Sequence, residues 1–138
     1  MRKLLIAAAV AGLAATPVFA ADITVGVTSI VEHPALDAAR DGIREALEAA
    51  GYKDGENGFH FVFETAQGKP EIAVQIAKKY VGDGVSIIVP ISTPSAQGAV
   101  AATKDIPIVF TAVTDPVAAQ IVPRREHPGG NVTGISDM

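Results

Sequence analysis

Residues 85–115 read VSIIVPISTPSAQGAVAATKDIPIVFTAVTD, and this stretch decides the fold. Two short, near-continuous apolar runs, VSIIV at 85–89 and PIVFTA at 107–112, lie at its ends. Such runs are typical of strands in parallel sheets that are covered on both faces. Between them, Thr93 is a good N-cap and Pro94 a good first helical residue, which predicts a helix to about Thr103. The stretch therefore predicts a strand, a helix and a second strand.

The same alternation continues on both sides of this stretch. Further strands are predicted for ITVGVT, FHFVFET and NVTGIS, at 23–28, 59–65 and 131–136. Helices are predicted for 34–50 and 70–81, where apolar residues recur at helical spacing, and a short helical turn for 116–122. Alternating strands and helices predict an α/β fold: a parallel sheet with right-handed crossovers and helices on both faces.

The first twenty residues have the layout of a secretory signal peptide. Met1 to Lys3 is positively charged, Leu4 to Ala15 is apolar, and Val18-Phe19-Ala20 places small residues at the −3 and −1 positions of a cleavage site. The apolar run is shorter than the roughly 20 residues of a membrane span, although a retained anchor or a buried helix is the alternative. We expect cleavage after Ala20 and a periplasmic or otherwise exported product that begins at Ala21.

Composition excludes several kinds of function. The chain has no cysteine, so it has no disulfide, thiolate zinc site, Cys nucleophile or lipid-anchored cysteine. Its net charge is −4 and its basic residues are scattered, which argues against nucleic-acid binding. Neither G-x-G-x-x-G, G-x-x-x-x-G-K-[ST] nor G-x-S-x-G occurs, and the three histidines lie in separate regions. We therefore expect no cofactor, no metal site and no catalytic residues.

Ligands of open parallel sheets bind beyond the carboxyl ends of the strands. The loop that opens the helix after the third strand carries three hydroxyls, those of Ser92, Thr93 and Ser95. A helix N-terminus presents unpaired N–H groups and a partial positive charge, so this loop is a candidate seat for a carboxylate. The alternative is that Thr93 only caps its own helix.

Two further loops follow predicted strands. After the fourth strand, Asp115 could accept hydrogen bonds from a ligand ammonium group, or it could instead cap the short turn that begins at Pro116. After the first strand, Glu32 and His33 could suggest acid–base chemistry, but no nucleophile accompanies them. His33 is better interpreted as a helix-capping or cleft-lining residue.

Long motifs in the chain resemble a known family. The chain resembles ABC transporter substrate-binding proteins of the tryptophan/tyrosine-binding (TrpX-like) group. The most specific motifs are TPSAQ, IPIVFTAVTDP and GGNVTG, and the resembling segments cover nearly all of the chain after residue 20. The resemblance implies one lobe of a type I periplasmic-binding-protein fold, which is flavodoxin-like or Rossmann-like. It also implies that a small molecule, an amino acid and possibly an aromatic one, is held between two lobes for delivery to a membrane permease. The ligand-binding residues implied or selected above are Ser29, Glu32, Ser92, Thr93, Ser95, Thr111, Val113, Thr114 and Asp115.

The family is about twice as long as this chain, and its second lobe follows the GGNVTG strand. We therefore expect residues 21–138 to be an N-terminal lobe without its partner lobe, monomeric, and at best a very weak binder of aromatic amino acids by itself. The leading hypothesis is the non-enzymatic solute-binding component of an ABC importer. The alternatives are an exported ligand-sensing module that presents ligand to a receptor and, less favoured, a small exported hydrolase.

Overall fold

Five parallel strands form one sheet in the computed structural model, which describes residues 21–138. The predicted signal peptide and its cleavage site lie outside the described residues. In the sheet the strands stand in the order β2-β1-β3-β4-β5. Their bounds are β1 Ile23–Ser29, β2 Phe59–Thr65, β3 Ile87–Ile91, β4 Ile108–Val113 and β5 Val132–Ser136. The predicted α/β fold with a parallel sheet is confirmed.

Three helices connect the first four strands: α1 Pro34–Ala49, α2 Pro70–Asp83 and α3 Thr93–Ala102. Proline in the first turn of each helix suits a position whose N–H would have no helical partner. His33 caps α1, because its Nδ1 accepts the Ala35 N–H at 3.2 Å. This confirms the capping interpretation of His33.

The helices pack on both faces of the sheet. α1 covers the face that carries Val25 and Val27, whereas α2 and α3 cover the opposite face, where Ile88 and Ile108 are fully buried. On that second face, Tyr80 of α2 donates a hydrogen bond of 2.7 Å to the Val27 carbonyl. A glycine at position 26 makes this packing possible, since a Cβ there would lie 2.8 Å from the Tyr80 ring.

One predicted strand is misplaced. β3 begins and ends two residues later than predicted, at Ile87 and Ile91. It ends later because Pro90 continues the strand instead of ending it. The Ile88 N–H donates a hydrogen bond to the Pro107 carbonyl (2.9 Å), and the Ser92 N–H donates one to the Thr111 carbonyl (3.0 Å). Pro90 has no N–H to donate, but it lies between these two intact bonds. The segment 116–122 forms hydrogen-bonded turns; the bond from the Ala119 N–H to the Asp115 carbonyl (3.0 Å) closes one helical turn, which does not continue as a helix.

Candidate functional site

The carboxyl ends of β1, β3 and β4 lie side by side at one edge of the sheet. Ser29 pairs with Ile91, and Ile91 pairs with Thr111, so these residues form one row across three strands. The chain leaves β1 toward α1 on one face and leaves β3 toward α3 on the other. This divergence is the topological switch point at which open α/β sheets bind ligands.

The start of α3 lies at this switch point. The N-cap residue is Ser92, so the prediction that Thr93 caps the helix is wrong, and no side chain caps the first turn. The first helical bond runs from the Ala96 N–H to the Ser92 carbonyl at 3.0 Å. The N–H groups of Thr93 and Ser95 precede that bond, and no acidic residue occupies the first turn. The positive end of the α3 dipole is therefore free to receive an anion.

Buried hydroxyls surround this helix start. Ser95 is fully buried and Ser92 is 8% exposed, yet neither Oγ has a hydrogen-bond partner within residues 21–138. Thr28, at the end of β1, is likewise fully buried with an unpartnered Oγ1. Ser29 differs, because its Oγ donates to the Val31 carbonyl at 3.0 Å. A buried unpaired hydroxyl is unfavourable, so each of these three groups lacks a partner that a ligand or a water molecule could supply.

Sequence reasoning selected Ser92 and Ser95 but missed Thr28. Strand alternation places Thr28 on the same face as Gly26, the face that α2 covers. A threonine near the end of a predicted strand gives no signal by itself, because the covered face of the strand follows from the tertiary packing. Its position one residue before the selected loop was the available clue.

Backbone strain is concentrated at the same edge. Ser92 has φ 90° and ψ 158°, close to a region that glycine alone occupies readily, and Ala112 after the middle of β4 has φ 54°. Non-glycine residues in such conformations each cost about 1–3 kcal/mol and are frequent at ligand sites. The chain therefore leaves the sheet sharply after β3 and bulges within β4, where the pairing with β5 shifts register between Phe110 and Val113.

Asp115 lies beyond β4 and caps the turn that follows it. Its Oδ1 accepts the N–H groups of Val117 and Ala118 at 3.1 Å and lies 3.6 Å from Nη2 of Arg125. The pKa of the Asp115 carboxyl is lowered from its ordinary value. The largest cause is the hydrogen bond from the Ala118 N–H, and the Val117 N–H and the Arg125 guanidinium act in the same direction. The capping alternative for Asp115 is thus present in the structure, and the carboxylate is also half-exposed and ionised.

The predicted residues Thr111, Val113 and Thr114, in and just after β4, differ in their exposure. Thr111 is half-buried at the row of strand ends, in the same place as Ser29. Val113 is fully buried in an apolar cluster with Phe110, whereas Thr114 is exposed and its carbonyl accepts the Ser136 hydroxyl at 2.9 Å.

Glu32 lies toward the other end of the edge. It is exposed and lines a hollow of 420 Å³ together with Val31, Thr65 and Gln67, on the side of β2. The structure therefore brings Ser29, Ser92, Thr93, Ser95 and Thr111 together, and it leaves Glu32 and Asp115 on opposite sides of them.

The site offers hydrogen-bond donors to an anion. It has hydroxyls, backbone N–H groups and a helix dipole, whereas its nearby carboxylates are exposed at the flanks. Across residues 21–138, no three His, Asp or Glu side chains are arranged to hold a metal ion. In the same part of the chain, no helix combines the length and apolar character needed to cross a bilayer.

Known proteins resemble this chain in both sequence and fold. The sequence profile of the ABC transporter substrate binding protein family matches residues 24–138. A tyrosine-binding protein of Clostridioides difficile (strain R20291) is 53% identical over 113 residues, which are 82% of this chain and 32% of that protein.

Two solved structures superpose on most of the described fold. A conserved domain protein from Vibrio cholerae is 57% identical with a TM-score of 0.82. A domain of an ABC protein from Streptococcus pneumonia, solved in complex with L-Trp, is 39% identical with a TM-score of 0.78. Each comparison covers 84% of this chain and 39% of the other chain.

This chain thus spans between about a third and two fifths of the length of these relatives. These relatives are solute-binding proteins, which are not enzymes. This agrees with the interpretation of the sequence as a non-enzymatic binding protein. The family profile covers nearly all of the described residues, and the TM-scores show that the two solved relatives share the fold. The chain belongs to the ABC transporter substrate-binding protein family.

Proposed function

We propose that this chain forms one wall of the solute cleft in the substrate-binding protein of an ABC importer, and that the start of α3 holds the carboxylate of an amino acid. The observation that carries the proposal is the pair of buried hydroxyls, Ser92 and Ser95, that lack partners beside an uncapped helix N-terminus. A carboxylate placed there would accept from both hydroxyls and from the N–H groups of Thr93 and Ser95.

The rest of the solute is assigned from the flanks of the site and from the relatives. Asp115 is ionised and half-exposed, and its described contacts all fall on Oδ1, so its other oxygen can accept from an ammonium group. One relative is a tyrosine-binding protein and another was solved with L-Trp, which supports an aromatic amino acid as solute. The ring would then be held mainly by the second lobe.

The functional unit we propose is the longer, two-lobed protein. It is exported, and its signal peptide is cleaved after Ala20. The mature protein is a monomer that closes on the solute and docks on a membrane permease. Because a single wall buries only one side of a ligand, residues 21–138 alone should bind aromatic amino acids very weakly.

The carboxylate assignment is tested by calorimetry on the full-length protein with L-tryptophan and with L-tryptophan methyl ester. The ester keeps the ring and the ammonium group but removes the negative charge. A hydrogen bond to a charged group contributes about 1.5–3 kcal/mol, so we expect Ser95→Ala to weaken L-tryptophan binding roughly 10–100-fold. The same variant should change ester binding much less.

Ser86→Ala is the matched control, because Ser86 lies just before β3, at the opposite edge of the sheet, where its Oγ accepts the Thr24 N–H. It should leave both affinities unchanged. Equal losses for acid and ester in Ser95→Ala would place the carboxylate elsewhere. Failure of L-tryptophan, L-tyrosine and L-leucine to bind the wild-type protein would refute an amino acid as solute.

Export is tested by the mass of the product recovered from outside the cytoplasm of a producing cell. We expect a chain that begins at Ala21. A secreted product that retains Met1, or a product found only inside the cell, would contradict the proposal.

A further inference from the structure

A hollow of 360 Å³ lies at the amino edge of the sheet, opposite to the edge that carries the proposed solute site. β1 and β2 begin at this edge, where the Ile23 N–H donates a hydrogen bond of 2.9 Å to the Gly58 carbonyl. The end of α1 closes one side of the hollow, because its C-cap residue, Ala50, lies in the lining. Ala21, the first described residue, lines the hollow as well.

The groups around the hollow favour a positive charge. Glu56 lies in the lining and is exposed, and it takes part in none of the ion pairs within residues 21–138. α1 has no basic residue in its last turn, so no side chain of that turn balances the partial negative charge of its C-terminus. The rings of Tyr52 and Phe59, whose centroids are 5.5 Å apart, also line the hollow, and aromatic rings attract cations. A carboxylate, a helix C-terminus and two rings therefore meet at one place.

We propose that this hollow is a cation site and that its occupant is the α-ammonium group of Ala21, which is formed when the signal peptide is cleaved. The inference rests on the part of the proposed function that places the cleavage after Ala20. Ile23 pairs with Phe59 at the first position of the β1–β2 ladder, only two residues after Ala21. This pairing holds the main-chain nitrogen of Ala21 close to the hollow.

Cleavage changes the charge at this position. In the uncleaved chain the Ala21 nitrogen belongs to a neutral peptide group. After cleavage it is an amine, and since an ordinary α-amino group has a pKa of about 7.7–8.0, it is mostly protonated at neutral pH. The site therefore distinguishes the mature chain from its precursor, and the amino edge of the sheet gains an ionic contact only on maturation.

A free cation from solution is the competing occupant. Glu56 supplies the one carboxylate of the lining, and within residues 21–138 no three His, Asp or Glu side chains are placed to hold a metal ion. Lys53 is the basic residue nearest to Glu56 along the chain, but it does not line the hollow. The ammonium group of Ala21 fits the site better, because it is monovalent and is attached to the lining already.

The rate at which the Ala21 amine is acylated tests the proposal, because only the neutral amine reacts. The mature full-length protein is treated at pH 7 with the N-hydroxysuccinimide ester of acetic acid, quenched at graded times and digested with trypsin. The peptide 21–40 contains no lysine, so its mass reports acylation of the α-amino group alone. Each of the three groups should change the reactive fraction by roughly two- to fivefold. We expect acylation at least fivefold slower than in the free synthetic peptide 21–40.

Two variants separate the site from simple shielding of the amine. Glu56→Gln keeps the size of the side chain and removes its charge, so acylation should be about two- to fivefold faster than in the wild type. Tyr52→Leu removes one ring and should also raise the rate. Glu71→Gln is the matched control, because Glu71 is an exposed carboxylate in the first turn of α2, at the opposite edge of the sheet. It should leave the rate unchanged.

The mass of the amino-terminal peptide is read before the rates. A mature chain that begins elsewhere would refute cleavage after Ala20 and the inference with it, whereas solute binding is measured separately. If the chain begins at Ala21, a wild-type rate equal to that of the free peptide would overturn the inference alone. Equal rates in the wild type and in Glu56→Gln would overturn it as well.

Discussion

The left-handed conformation of Ser92 makes a prediction about stability that separates backbone strain from hydroxyl chemistry. Ser92 has φ 90°, whereas Ser95 lies inside α3, and both have buried hydroxyls without partners. Replacing either serine by alanine removes the hydroxyl but keeps a Cβ. Replacing it by glycine removes both, so the glycine–alanine difference at one position reports the backbone conformation and the packing of the Cβ, without the hydroxyl.

The two positions should give differences of opposite sign. In an ordinary conformation, glycine is less stable than alanine by roughly 0.5–1 kcal/mol, and this applies to Ser95. At Ser92, glycine also relieves strain of about 1–3 kcal/mol, which leaves it more stable than alanine by about 1 kcal/mol. At about 4 °C for each kcal/mol, Ser92→Gly should melt about 4 °C above Ser92→Ala. Ser95→Gly should melt about 2–4 °C below Ser95→Ala.

Thermal unfolding of the four variants of residues 21–138, followed by circular dichroism at one pH, measures both differences. Urea unfolding at a fixed temperature provides an independent value. If Ser92→Gly melts below Ser92→Ala, as Ser95→Gly should melt below Ser95→Ala, then Ser92 is not strained.

Three further predictions concern packing and pH. Gly134→Ala should destabilise the fold by at least about 2 kcal/mol in urea unfolding, since its Cβ would lie 2.3 Å from the Phe110 carbonyl oxygen; unchanged stability would contradict this. Tyr80→Phe should cost about 1 kcal/mol at neutral pH through loss of its bond to Val27. Burial raises the pKa of Tyr80, so stability should fall as the pH rises above about 10, and this fall should be smaller in the phenylalanine variant. The pKa of Asp115 is lowered, so its contribution is present above about pH 4 and is lost in acid; Asp115→Asn should unfold with less acid dependence between pH 6 and pH 3.

Local sequence signals predicted the helices well because their ends are marked chemically. Pro34 and Pro70 begin α1 and α2, and Gly84 ends α2 in the left-handed conformation. The same reasoning misplaced β3, since Pro90 is usually a strand breaker but is accepted here where a single donor to β4 is absent. Prolines thus locate helix starts more reliably than strand ends.

The candidate site was predictable only in part. The order of strands and helices selects the loops at the carboxyl edge, and so it selects Ser92, Ser95 and Thr111. It could not show that Ser92, instead of Thr93, is the N-cap residue, because that depends on a φ of 90° imposed where β3 meets α3. Nor could it show that Thr28 is buried without a partner, because burial of that hydroxyl depends on the packing of elements distant in sequence.

Under the proposed function, the unfavourable features at the start of α3 are the groups that the solute would contact. A strained Ser92 and buried hydroxyls without partners each lower stability, and Ser95→Ala would remove one of them at no loss of packing. A carboxylate that reaches α3 would supply the missing partners, so part of the binding free energy would appear as stability of the lobe. The fold itself holds these groups in place, which would lower the entropic cost of ordering them during binding. In the proposed two-lobed protein they would contact only one side of the solute, and a second surface would have to cover the other. The features that weaken this lobe by itself are therefore those that the proposed cleft would require of one of its walls.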